Sequence, residues 1–299
     1  MTGSAIATSV QIQTMPVGTR AETDRQLLDT WISGMDSAQT QRNFRRTVEQ
    51  FIDALPCPLR QARLEDVRDA IAAIGDGRAD TTAKQYATRV KSFLGFAHRL
   101  GYLPFNAGAA LRVKVPKRTV AQRIMSETEI ALLIRAANST RDRVMLMTAY
   151  AGGLRVSELV SLTWKSVIER EAGQVQLSVI GKGDVQREIL LPAAVGQALL
   201  TMRGDAGSND PVFTSRKGGK PLTTRAVNHM IKAAAERAGI NPKVSAHWLR
   251  HGHASHALER GATLAEVKET LGHASVATTS TYLHARPDRS SGLKLDDGI

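Results

Sequence analysis

The sequence predicts a mainly α-helical protein of two domains, the second carrying a small antiparallel sheet in a mixed α/β arrangement. Three observations lead there. With 299 residues and 42% hydrophobic side chains, the chain is long enough for two domains of ordinary size and has the apolar material for both cores. Apolar residues recur at spacings of three and four along most of its length. One stretch alternates as a half-buried strand does, with Val175, Leu177 and Val179 on one side and Gln176 and Ser178 on the other.

Residues 1–22 are expected to form a flexible leader. Leu27, Leu28, Trp31, Ile32 and Met35 then line a first helix. Phe44, Val48, Phe51, Ile52 and Leu55 line a second, which ends at the Pro56-Cys57-Pro58 breaker. Leu64 to Ile74 forms a third, with Val67, Ala70, Ile71 and Ile74 on one face and Gly75-Asp76-Gly77 closing it. Thr81 to Leu100 forms the longest, its inward face Tyr86, Val90, Phe93, Leu94 and Ala97 and its stop Gly101. Together they make a helical bundle over residues 23–111.

The segment from Arg112 to Arg123 has no periodicity and contains Pro116, so it reads as a linker over residues 112–123. Beyond it, Ser126 is placed to cap a helix while Glu129 reaches back in the capping-box spacing. Arg141 to Tyr150 is helical until Gly152-Gly153 breaks it, and Ser157 to Leu162 resumes. After the alternating strand, Gly181-Lys182-Gly183-Asp184 turns the chain and Arg187 to Leu191 returns as a second strand. Helices follow at Ala194–Met202, Thr223–Ala238, His247–Glu259 and Ala265–Leu271, with a last one around Val276–Tyr282.

Charge narrows the partner. Forty Lys and Arg against 28 Asp and Glu leave a net charge of +12 and a pI near 10.2, which calls for a polyanion such as nucleic acid or an anionic membrane surface. No run reaches the roughly 18 apolar residues of a membrane span, and the first residues lack the apolar core of a secretory signal. The linker concentrates the charge: Arg112, Lys114, Lys117, Arg118 and Arg123 stand without an intervening acid. The single cysteine, Cys57, excludes an intramolecular disulfide and a multi-Cys metal cage, and fits a reducing cytoplasm.

Six of the eight histidines fall between His247 and His284. The pair His247/His251 has metal-ligand spacing. However, His247-Trp248-Leu249-Arg250-His251 lacks the glutamate of a zinc protease and sets Arg250 beside the ligand position, so no metal is expected, and His253 and His256 read as solvated or core histidines. Arg155 follows the glycine break and precedes a helix start, where Glu158 can hold its guanidinium fork toward a cleft or merely pair with it at the surface. Lys182 stands between two glycines at the hairpin tip, free to reach a ligand or to be solvated; Gly-Lys-Gly is not a phosphate-binding P-loop. His247 and Arg250 share a helical face, one able to exchange protons and the other to bind an anion bidentately. His273 follows Gly272 and precedes a cap at Ser275, and Tyr282 ends the last helix. Singly, each has an ordinary structural alternative.

In their order, these segments resemble the tyrosine recombinase, or phage integrase, family, in its simple two-domain Xer- or Cre-like form. The resemblance rests on Ala151-Gly152-Gly153-Leu154-Arg155-Val156-Ser157-Glu158-Leu159, Gly181-Lys182-Gly183, His247-Trp248-Leu249-Arg250-His251, Leu271-Gly272-His273 and Thr278-Thr279-Ser280-Thr281-Tyr282-Leu283-His284. It implies a SAM-like core-binding bundle over residues 23–111 and a catalytic domain over residues 124–285, followed by a tail over residues 286–299. It implies an active site of Arg155, Lys182, His247, Arg250, His273 and Tyr282. Tyr282 is then the nucleophile that forms a 3′-phosphotyrosyl intermediate, Lys182 the acid for the leaving oxygen, and His247 the acid or base around tyrosine deprotonation. Glu158 and His251 have supporting parts. Gly252 and His253 depart from the family's pattern of a small hydroxyl residue followed by an aromatic. The implied partner is double-stranded DNA, bound by a homotetramer across two sites and by a monomer or weak oligomer when free; the basic linker tracks the backbone, and neither metal nor ATP is needed. A type IB topoisomerase-like nicking and closing enzyme, and a DNA-binding regulator that has lost the reaction, are the alternatives.

Overall fold

Short polar side chains set the helix starts in the first half of the chain. The Thr23 hydroxyl accepts the Gln26 N–H at 3.2 Å and opens α1 (Asp24–Ser33), and Ser37 accepts from Thr40 to open α2 (Ala38–Asp53). Asp66 accepts the Arg63 N–H at 2.8 Å at the head of α3 (Leu64–Gly75). α4 (Asp80–Arg99) ends before Gly101, whose φ of 69° leaves the helical region. The structure is a computed structural model and describes residues 18–113, 124–181, 184–216, 218–241 and 243–273 with Ser275, Thr279, Ser280 and Tyr282.

The chain divides into two compact units, Met1–Arg118 and Thr119–Ile299. In the first, the inward faces of α1 to α4 meet as the periodicity predicts: Leu27, Leu28, Val48, Phe51, Val67, Val90, Phe93 and Leu94 are buried together, and Trp31 packs edge-on to Phe44 at 5.3 Å. Each such side chain contributes about 1.5–3 kcal/mol by leaving water. Asp24, buried at the start of α1, accepts the Leu59 N–H at 2.9 Å and the Tyr102 hydroxyl at 2.8 Å, fastening three segments. One element is additional to the predicted set, the single turn α5 (Ala107–Ala110) capped by Asn106.

The second unit opens with α6 (Glu127–Arg135), where the expected capping box forms: Glu129 accepts the Ser126 N–H at 2.7 Å and Ser126 accepts the Glu129 N–H at 3.2 Å. α7 (Thr140–Ala151) stops at Gly152 and α8 (Val156–Ser161) resumes. The sheet has three strands, one more than predicted, in the antiparallel order β1 (Val167–Glu169), β2 (Val175–Ile180) and β3 (Gln186–Leu191). Val167, Leu177 and Ile189 lie in register on the inner face. That face joins a core completed by Met145, Leu146, Leu199 and Ile231 from α7, α9 (Ala193–Thr201) and α10 (Thr224–Arg237). α11 (Ala246–Glu259) and α12 (Leu264–Leu271) follow.

Of the helix predicted around Val276–Tyr282, only Thr279, Ser280 and Tyr282 are described; the leader up to residue 17, the tail and most of the basic linker lie outside the described residues. Among the described residues, no helix is long and apolar enough to cross a membrane.

Candidate active site

The break between α7 and α8 turns the chain beneath α11 and α12. Gly153 has φ +56°, and a Cβ there would lie 2.6 Å from Leu271 and 2.9 Å from His253, so only glycine fits. This places Arg155 as the N-cap of α8, and Glu158, one turn on, accepts both the Arg155 backbone N–H at 2.8 Å and its Nη1 at 2.7 Å. The Glu158 side chain is 3% exposed and that of Arg155 34%, so the pair is not a salt bridge confined to the surface.

A second arginine meets the same carboxylate. Arg187 on β3 donates through Nη1 to Oε1 at 3.0 Å and through Nη2 to Oε2 at 2.8 Å, while Arg250 of α11 brings Nη1 to 3.9 Å. Burial raises the Glu158 carboxyl, but the hydrogen bonds from Arg187 and Arg155 outweigh it and hold the group below the usual carboxylate range.

The opposite side of the cluster is the end of α12. Gly272 caps that helix in the left-handed region, with φ 61°, and the last carbonyls of a helix have no partner within it. Three successive ones each accept from a different arginine: Thr270 from Arg187 Nε at 2.7 Å, Leu271 from Arg250 Nη2 at 2.5 Å, and Gly272 from Arg155 Nη2 at 3.3 Å. Arg250 also donates from Nη1 to the Gly153 carbonyl at 2.7 Å and is 2% exposed. Burial, with Arg155 nearby, brings its pKa down to about 10, so it stays charged at neutral pH.

Three guanidinium charges thus face one carboxylate and a helix C-terminus carrying roughly half a negative charge. The surplus is positive and fixed in place. Such a surplus is complementary to an anion with several oxygens. Among the described residues, no three His, Cys, Asp or Glu side chains gather in metal-binding geometry.

The remaining groups surround this surplus. His273, just past the α12 cap, sets Nδ1 2.9 Å from the Thr279 hydroxyl. Burial, then the neighbouring Arg250, Arg155, Arg187 and His247, push it down to about 4, so it is neutral at pH 7. Thr279 also accepts the Tyr282 N–H through its carbonyl at 3.1 Å. Tyr282 is 6% exposed, in contact with the cluster of Ala254, Leu258, Val267 and Leu271, and its hydroxyl lies 2.7 Å from His251 Nδ1. Burial raises the phenol and Arg250 opposes that rise. The His247 ring lies 4.2 Å from that of His251.

The structure therefore assembles Arg155, Glu158, His247, Arg250, His251, His273 and Tyr282. His251, to which the resemblance gives a supporting part, lies in direct contact with the tyrosine hydroxyl. Lys182 and Gly183 lie outside the described residues, as do Lys114, Lys117, Arg118 and Arg123 of the linker; Arg112 is exposed at the edge of a cavity of about 390 Å³ between α3 and α4. His253 and His256 are core histidines, bonded at 2.9 Å to the Tyr150 carbonyl and hydroxyl respectively. At Gly252 a Cβ would meet Ile130 at 2.8 Å, which accounts for glycine there. Arg187 is the residue that the sequence reading misses. Its signal was present: it falls in phase with Ile189 and Leu191 on the buried face of a strand, where an arginine needs a partner.

The model of the phage integrase family matches residues 117–289, more than half of the chain, and the chain belongs to that family. The tyrosine recombinase XerC of Xylella fastidiosa strain 9a5c is 37% identical over 216 residues, covering 69% of this chain and 72% of the relative. The tyrosine recombinase XerD of Corynebacterium glutamicum is 30% identical over 296 residues, covering 88% and 95%. The activity is that of a tyrosine-type site-specific recombinase acting on DNA. The fold is shared with a lambda integrase dimer bound to a COC′ core site, at TM-score 0.72 and 19% identity over 92% of this chain and 80% of that one. It is shared also with the XerH recombinase bound to difH, at TM-score 0.69 and 19% identity over 86% and 80%.

Proposed function

We propose that Tyr282 attacks the scissile phosphate of double-stranded DNA while Arg155 and Arg250 bind its nonbridging oxygens. The observation that carries this reading is the surplus of fixed guanidinium charge beside a tyrosine whose hydroxyl is bonded to a histidine. As the Tyr282 oxygen bonds to phosphorus, its proton passes to His251, with His247 against that ring as a second proton carrier. The bond to the 5′ oxygen breaks, and Lys182 supplies the proton for that leaving group. His273 is neutral and donates a hydrogen bond to the phosphate without adding charge. The 3′-phosphotyrosyl link conserves the energy of the broken bond, so a 5′-hydroxyl from another strand reverses the step without ATP or a metal.

Fixed donors aimed at the pentacoordinate phosphate act where charge develops. A lysine in place of either arginine keeps charge but loses the planar fork. One neighbour in fold is a lambda integrase tetramer bound to a Holliday junction. By that likeness four copies of this chain assemble on two DNA sites; the basic residues of 112–123 follow the phosphate backbone, and a cytoplasmic reaction fits the single cysteine.

A nicked suicide substrate tests the chemistry: wild-type protein accumulates a covalent adduct, and Tyr282→Phe forms none while binding the same site. Undiminished adduct from Tyr282→Phe would overturn the assignment.

A further inference from the structure

Arg187 of β3 ties together α8 and the end of α12 within the cluster. Its guanidinium bonds both oxygens of Glu158 and the Thr270 carbonyl, and its side chain is 7% exposed. Two glycines close over it. A Cβ on Gly181 would lie 3.4 Å from Arg187 Nη1, and one on Gly272 would lie 3.2 Å from its Cδ. Gly181 immediately precedes Lys182, and Gly272 immediately precedes His273. Glu158, which Arg187 grips from one side, grips Arg155 on the other. One buried side chain therefore spans the chain positions leading into Lys182 and His273 and the carboxylate that orients Arg155.

We propose that Arg187 is a positioning residue for strand cleavage: it fixes Arg155 through Glu158 and sets the spacing of the Gly181 and Gly272 turns around the phosphate site. The inference rests on the reading that Arg155 binds the scissile phosphate and Tyr282 attacks it. Without Arg187, Glu158 keeps Arg155 and, at 3.9 Å, Arg250 as its cationic neighbours, and loses the bidentate partner that holds it ionised and oriented. The carboxylate then protonates more readily, and its hold on the Arg155 fork slackens as pH falls. A displacement of about 1 Å at a phosphate-binding group costs on the order of 100-fold in rate.

The test compares wild type, Arg187→Met, Arg187→Lys and the double variant Arg187→Met/Glu158→Gln. Single-turnover adduct formation on a nicked site is normalised to the folded, DNA-bound fraction. Wild-type adduct that disappears in Tyr282→Phe secures the underlying reading; the Arg187 variants then decide the positioning role alone.

Arg187→Met is expected to lower the normalised rate about 100-fold, leave DNA affinity within about twofold because the residue is buried away from solvent, and make the rate fall on going from pH 8 to 5.5 more steeply than wild type. The double variant regains thermal stability, since no carboxylate is left short of partners, and loses the extra pH dependence, but stays slow. Arg187→Lys, which keeps the charge and one of the hydrogen bonds, falls about 10-fold and serves if the methionine variant does not fold. Wild-type normalised rates in the lysine and double variants, or recovery of rate in step with stability, would overturn the proposal, because a merely structural arginine predicts both.

Discussion

Two buried tyrosines, one in each unit, contrast a structural site with the proposed reactive one. Tyr102 and Tyr282 are 4% and 6% exposed, and each hydroxyl makes a short hydrogen bond, at 2.8 and 2.7 Å. Tyr102 donates to the Asp24 carboxylate, so burial and then that bond both push its phenol upward and lock its proton on. Tyr282 meets an imidazole that can accept a proton, and Arg250 pulls against the effect of burial. The same residue type at the same depth is thus a fastening in one unit and, in the reading proposed above, a nucleophile in the other. The difference lies in the hydrogen-bond partner: a carboxylate holds the proton on Tyr102 even with Arg60 over its ring, whereas Tyr282 meets an imidazole.

Exchanging each phenol for phenylalanine sharpens this contrast most. Tyr282→Phe should abolish the covalent adduct and change the melting temperature little. Tyr102→Phe should leave adduct formation at its wild-type rate once corrected for folded protein, and should cost about 1–3 kcal/mol in chemical denaturation, because Asp24 loses a donor inside the core.

Next in size is the fixed positive surplus. Arg250→Lys should lower single-turnover cleavage by about 100- to 1000-fold, since a single ammonium lacks the planar fork that spans the Gly153 and Leu271 carbonyls while presenting further donors to a phosphate. A rate within threefold of wild type would show that charge alone suffices.

A smaller effect concerns acid stability. His253 is pushed down to about 4 by burial, and His273 to about 4 by burial and the arginines, whereas both titrate near 6.5 in the unfolded chain. Between about 6.5 and 4 the unfolded state binds protons that the folded state refuses, so the stability present above 6.5 is lost as pH falls through this window. In His253→Phe, the melting temperature at pH 7 should be lower, for want of the bond to the Tyr150 carbonyl, but its drop between pH 7 and 5 should be smaller than in wild type. An unchanged drop would remove His253 from the acid response.

How much of this was legible in the sequence follows from how local each feature is. The faces of α1 to α4 and the Ser126/Glu129 capping box are set by spacings within one element, and periodicity finds them. β1 and α5 are three and four residues long, too short to show a period. The motif order brought Arg155, Arg250, His273 and Tyr282 together through family resemblance, yet it did not reveal how they are held. The bond from Arg187 to Glu158 spans 29 residues, that to Thr270 spans 83, and the one joining His251 to Tyr282 spans 31. Such pairings depend on the docking of α8, β3, α11 and α12, which no local pattern encodes. Only the charge in the apolar phase of β3 announced that something was to be paired there.

The most direct measurement of the central claim identifies the residue joined to DNA. Wild-type protein trapped on a nicked site would be digested with protease and nuclease, and the nucleotide-bearing peptide sequenced by mass spectrometry. The account predicts a single modified peptide with the nucleotide on Tyr282 through a 3′-phosphate. A nucleotide on any other residue, or a 5′-phosphate linkage, would contradict it.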